Sequence, residues 1–87
     1  MKIIAKPIDV IVAFRHGKKP MPYKFKYLDE YSMYNEIKID KIISIEDSRL
    51  AGINAIVYTC QSEIKGCLKI YQLKFIISEY RWQLYKI

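Results

Sequence analysis

The chain has 87 residues, 52% of them hydrophobic and 28% charged, with a formal net charge of +6. This balance excludes a disordered chain and allows one domain over residues 1–87, which at this size buries only about 60 to 65% of the surface its unfolded chain exposes. Two cysteines without CxxC spacing argue against a disulfide scaffold or a zinc ribbon and for a cytoplasmic setting.

Strands are favoured over helices by the 14% aromatic content, with eight Tyr, and by the prevalence of Ile, because such side chains fit a pleated, half-buried surface. Lys6, Pro7 and Asp9 interrupt the apolar residues of the first segment, so neither a signal peptide nor a membrane span is expected. Ile8, Val10, Val12 and Phe14 then alternate with Asp9, Ile11 and Ala13. That predicts a first strand starting at Pro7, where no ladder hydrogen bond is lost. Arg15 to Pro20 reads as a turn in which Gly17 permits positive φ. Tyr23, Phe25 and Tyr27 alternate with Lys24 and Lys26, and symmetric pairing sets Phe14 against Tyr23, Val12 against Phe25 and Val10 against Tyr27.

Leu28 to Asn35 lacks a period and reads as a surface loop. Glu36 to Asp47 reads as a third strand with Ile37, Ile39, Ile43 and Ile45 on one face. Lys41 falls in that series and Ile42 on the other face, which predicts a bulge or bend near Asp40 to Ile42. Ser48 to Gly52 forms the next reversal. Ile53 to Gln61 is a fourth strand, with Ile56, Tyr58 and Cys60 on one face and Ala55, Val57 and Thr59 on the other, so a central position is expected. A turn over Ser62 to Gly66 leads to a fifth strand beginning at Cys67. One register of this hairpin sets Cys60 beside Cys67, with two small free thiols as the expected state.

The clearest alternation lies in the last segment, where Tyr71, Leu73 and Phe75, then Trp82 and Leu84, recur at period two between Gln72, Lys74, Arg81 and Gln83. A reversal at Ser78-Glu79 sets Phe75 against Trp82 and Leu73 against Leu84. A slip by one residue would turn Trp82 and Leu84 toward water. Six strands without a helical period cannot cover their own apolar face as one flat sheet. The expected fold is therefore all-β, a six-stranded antiparallel small barrel or two-layer sandwich of mostly meander hairpins with little or no helix.

The pattern Pro7-Ile8-x-Val10-x-x-x-Phe14, Gly17, Pro22-x-x-Phe25-x-Tyr27, Ile39-x-x-Ile42 and Ala51-Gly52 resembles a group of short bacterial all-β proteins of unknown function. Tyr58-x-Cys60-Gln61, Tyr71-x-Leu73-x-Phe75 and Trp82-x-Leu84 extend the resemblance over almost the whole chain. It implies a small barrel similar to SH3-like folds and carries no catalytic motif to transfer.

Catalytic chemistry is not expected from the residues themselves. His16, the one histidine, is flanked by Arg15, Lys18 and Lys19, whose positive charge opposes metal binding, so it reads as a solvated turn residue. Cys60 and Cys67 lack a neighbouring His or helix N-terminus that would produce a thiolate. Glu36, Lys38, Asp40 and Glu46 fall along one side of the third strand and read as solvated charge. No glycine-rich phosphate loop or nucleophile elbow occurs, and no cofactor or metal is expected.

The suggestive cluster is basic. Arg15, Lys18, Lys19, Lys24 and Lys26 supply five of the 15 Lys and Arg residues without an intervening acid, and Lys74 and Arg81 extend the candidate surface. With Tyr31, Tyr34 and Tyr85 as exposed rings, RNA or single-stranded DNA is a candidate partner. The bland reading is that these lysines form the solvent side of an apolar strand. The competing reading starts from Ile11, Ala13, Ala55, Val57, Leu68 and Ile70, which fall opposite the expected core face and predict a homodimer or a protein partner.

Overall fold

The computed structural model describes residues 1–87. Seven strands form: β1 (Ile3–Ala13), β2 (Met21–Leu28), β3 (Tyr34–Lys38), β4 (Lys41–Leu50), β5 (Ile53–Ile64), β6 (Cys67–Ile76) and β7 (Arg81–Lys86), with one 3-10 turn, Ile77–Glu79. They make one antiparallel sheet in the order β3-β2-β1-β7-β6-β5-β4, curled into a half-barrel. The all-β expectation is borne out, with seven strands in place of six. No helix is long and apolar enough to cross a membrane.

The extra strand comes from the Glu36 to Asp47 run, which is two strands on opposite edges of the sheet. Ile39 and Asp40 carry the chain across. The Ile39 N–H donates to the Tyr23 carbonyl on β2 at 2.8 Å, and the Asp40 N–H donates to the Gln61 carbonyl on β5 at 3.1 Å. A Ser62 hydroxyl bond to the Lys38 carbonyl at 2.7 Å and a Glu63 N–H bond to Asp40 Oδ2 at 2.8 Å complete the stitch. The expected irregularity is therefore present, as this crossing and as a separate bulge between Ile42 and Ser44. The bulge brings Ile42 and Ile45 against the core and leaves Ile43 exposed, which corrects its expected inward position.

The first hairpin slides from the expected register, by two residues where Val10 pairs with Phe25 and by three past a bulge, where Val12 pairs with Pro22. The cause lies at its closed end. The Tyr58 hydroxyl donates to the Pro20 carbonyl inside the protein, and both Pro20 and Pro22 are buried. Phe14 is consequently expelled and is 76% exposed. β1 also begins earlier than expected. Its first half, Ile3 to Ile8, pairs with β7, and its second half, Asp9 to Ala13, pairs with β2. Pro7, which has no N–H to donate, lies next to this change of partner. The chain ends close onto each other through reciprocal Lys2 and Ile87 backbone bonds of 2.8 and 3.1 Å.

The β6–β7 hairpin has the expected register, Phe75 opposite Trp82 and Leu73 opposite Leu84. The Phe75 and Trp82 rings stack at 4.8 Å between centroids. Tyr80 closes the reversal in the left-handed region at φ 52°. Two-residue turns at Ala51-Gly52 and Lys65-Gly66, with positive φ at both positions, join β4 to β5 and β5 to β6. Their backbone twist matches that of the flanking strands. Cys60 lies opposite Tyr71 and Cys67 opposite Ile64, so the two thiols are apart and free, with Cys60 buried and Cys67 exposed. The core gathers Phe25, Ile37, Ile56, Tyr58, Cys60, Tyr71, Leu73, Phe75 and Leu84.

Candidate binding surfaces

The seven predicted basic residues are distributed over four parts of the chain. Arg15, Lys18 and Lys19 sit on the β1–β2 loop, Lys24 and Lys26 on β2, Lys74 on β6 and Arg81 at the start of β7. Three of them meet carboxylates: Lys19 with Asp47 at 2.9 Å, Lys24 with Glu36 at 2.9 Å and Arg81 with Glu79 at 3.5 Å. These pairs are solvent-exposed, where screening and side-chain entropy offset most of the attraction. Their main effect is to break up positive potential. The Lys24 hydrogen bond also holds the Glu36 carboxyl below its usual range.

Lys26 lies 5.4 Å over the Tyr34 ring, and Lys74 lies 4.6 Å over Tyr85. The sequence reading missed Lys86, which lies 5.4 Å from the same Tyr85 ring. A bulge between Gln72 and Leu73 is the reason, since it shifts the pairing just past Leu84 and strict alternation does not anticipate it. Arg15 borders an open groove of about 370 Å³ with Tyr23, Ile39, Asp40 and Lys41. Tyr31 and Tyr34 are exposed as expected, and Tyr85 is half-buried. Tyr80, at 86% exposed, was not singled out, although its place in a hairpin reversal was the available signal.

Other candidate groups have structural partners. Burial pushes the Cys60 thiol up to about 12, and its Sγ donates to the Tyr58 carbonyl at 3.7 Å. It is a fully buried core group. Glu36, Lys38, Asp40 and Glu46 were expected along one strand but are divided between β3, the crossing and β4. Asp29 organises the β2–β3 turn, accepting from the Tyr31 and Met33 N–H groups at 2.8 and 3.0 Å and from the Asn35 amide at 2.8 Å. The Asn35 bond is the main cause of its lowered carboxyl pKa. No three His, Cys, Asp or Glu side chains converge to hold a metal ion.

The accessible surface is more unusual. A monomer of 10.4 kDa is expected to present about 5,400 Å² of accessible surface, whereas this chain presents 6231 Å². The surplus is roughly 800 Å². Of the outward apolar residues expected from sequence, Leu68 is 66% exposed, Ile70 47% and Ile11 55%. Ala13 and Val57 are half-buried. Ala55 departs from the expectation at 2% exposed, because the 3-10 turn packs on β5.

The geometry defines a small antiparallel half-barrel that displays its charges and several large apolar side chains on the outside. In comparisons with family models, curated proteins and solved structures, the chain matches none.

Proposed function

We propose that the chain is a non-catalytic structural subunit that works by self-association in the reducing cytoplasm. The observation that carries this is the accessible area. The surplus of roughly 800 Å² equals what one partner contributes to a standard protein interface, and it includes large aliphatic side chains that a monomeric domain usually covers. Two free thiols suit a reducing compartment. Sedimentation velocity from micromolar to millimolar concentration tests the reading. A mass that rises with concentration supports it, and a monomer throughout the range refutes it.

A second reading is favoured by one observation. Lys74 and Lys86 flank Tyr85, and neither they nor Arg15 and Lys18 are paired with a carboxylate. That combination of cations and rings suits the backbone and bases of single-stranded RNA or DNA. The test is anisotropy of a labelled oligonucleotide against salt. Binding that weakens steeply with salt and is lost on replacing Lys74 and Lys86 by Gln supports this reading.

A further inference from the structure

We infer that self-association runs through the β5–β6 ribbon, with two copies pairing antiparallel along the free edge of β6 at Cys67 to Ile70. This rests on the self-association reading and names its surface. β7 ends at Lys86 opposite Gln72, while β6 continues back to Cys67 alongside β5. Cys67 to Tyr71 of β6 therefore pair on one side only, and the first four of them, Cys67, Leu68, Lys69 and Ile70, are exposed. The result is a notch in the sheet, closed at one end by the paired chain ends, Lys2 with Ile87. An unpaired strand edge bearing large aliphatic side chains is a template for another strand.

The dimensions of the notch select its occupant. Its exposed part is four residues long, and the overhang of the ribbon that creates it is the same four residues, ending in the tight Lys65-Gly66 turn. A second ribbon entering antiparallel fits until its turn meets Ile87, so each copy fills the notch of the other. Antiparallel pairing about a two-fold axis requires directly opposed residues to share a face. The register that stops the turn short of Ile87 is centred on Leu68. It sets Leu68 against Leu68 of the second copy, Ile70 against Gly66, and Lys69 against Cys67.

This register is chemically consistent. Leu68 and Ile70 lie on one face, so four aliphatic side chains come together where each chain alone leaves them in water. Gly66 opposite Ile70 presents no side chain to obstruct it. The two Lys69 ammoniums do not face each other, so no like-charge pair is formed. The other open edges are poorer templates. β4 is interrupted by its bulge and carries Glu46, Asp47 and Arg49, β3 carries Glu36 and Lys38, and the first half of β1, unpaired on its β2 side, is broken by the left-handed Ala5 and by Pro7. Bulges and charges of this kind discourage edge pairing.

Disulfide trapping in the whole chain tests the seam. In a Cys67→Ser background, Leu68→Cys places one thiol from each copy on the two-fold axis, within the separation a disulfide spans. Mild oxidation should give a covalent dimer, whereas Lys69→Cys in the same background should stay monomeric on a denaturing gel. Leu68→Asp should shift the dimer midpoint to at least tenfold higher concentration with the circular dichroism spectrum unchanged. Cross-linking through Lys69→Cys but not Leu68→Cys overturns the register. A concentration-dependent dimer that persists in Leu68→Asp and fails to cross-link overturns the seam and leaves self-association standing. A chain that is monomeric at every concentration overturns both.

Discussion

Ser62 and Tyr71 offer a prediction in which two deletions of the same size, one hydroxyl each, differ in their harm. Both side chains are fully buried, and their hydroxyl oxygens are 2.6 Å apart. Because the Ser62 hydroxyl donates to the Lys38 carbonyl at 2.7 Å, the proton between the two hydroxyls comes from Tyr71. The chain of bonds therefore runs from Tyr71 through Ser62 to β3. Tyr71→Phe removes the terminal donor and leaves Ser62 an unused acceptor, a loss of about 1 kcal/mol. Ser62→Ala removes the middle link and strands the buried Tyr71 donor and the partly buried Lys38 carbonyl together, a cost of about 2 to 3 kcal/mol. For a domain of this size 1 kcal/mol corresponds to about 4 to 8 °C in Tm, so thermal unfolding followed by circular dichroism separates the two variants. The double variant has no Tyr71 hydroxyl to strand. Its loss should fall below the sum of the single losses by at least 0.5 kcal/mol, the lower bound for coupled neighbours. A Ser62→Ala variant more stable than Tyr71→Phe, or strict additivity, would refute the relay.

Trp82 stacks on Phe75 and lies 5.3 Å from Tyr58 but is only half-buried. Trp82→Ala should therefore cost about 2 to 3 kcal/mol, below the 3 to 5 kcal/mol of a fully buried ring; an unchanged urea midpoint would show that the stack contributes nothing. Alkaline pH should unfold the protein. Burial raises Cys60 from 9.0 and Tyr58 from 10.0 to about 12, and raises Tyr71 as well. The unfolded chain thus releases these protons first, and stability that is complete below pH 9 is lost between pH 9 and 12. Absorbance at 295 nm should show two of the eight tyrosines ionising only together with unfolding; smooth ionisation of all eight in the folded state would contradict this. Salt separates the two functional readings by sign. Two copies that each carry +6 repel at long range, so dimerisation should tighten from 50 to 500 mM salt as that repulsion is screened, while oligonucleotide binding should weaken.

The β6–β7 hairpin was legible because its large apolar residues alternate strictly and its reversal is short, so only one register buries both Trp82 and Leu84. The β3–β4 division was not. Ile37, Ile39, Ile43 and Ile45 keep period two straight through Ile39 and Asp40, and only hydrogen bonds to Tyr23 and Gln61 reveal that the chain changes edges there. Proline marked the ends of the first hairpin, but its register depends on the Tyr58 bond to Pro20, which no local pattern contains. The outward lysines were likewise read from alternation. Asp47 and Glu36, which meet Lys19 and Lys24, come from other strands and become neighbours only through the fold. Exposure of Leu68 and Ile70 followed from the face they occupy. The notch beside them required knowing that β7 stops at Lys86.

The crossing at Ile39-Asp40 also explains why so much apolar surface remains outside. Consecutive strands normally pair, but β3 and β4 lie at opposite edges, and the two residues between them spend their N–H groups on β2 and β5. The edges are brought together at that stitch without a ladder between β3 and β4, so the sheet curls without closing. A closed barrel removes its edges. This one retains the edges of β3 and β4 and adds the notch on β6 and the unpaired halves of β1, and it buries 14 of 87 residues. A core of that size limits stability in the isolated chain, because the entropy of ordering each residue is not reduced when burial is incomplete. Pairing at the notch supplies missing burial without reopening the stitch, since Leu68 and Ile70 already point outward in the monomer. The fold that sequence alternation produces is thus complete as a half-barrel and incomplete as a surface, and a second copy of the same ribbon has the length and side chains to cover part of what is left.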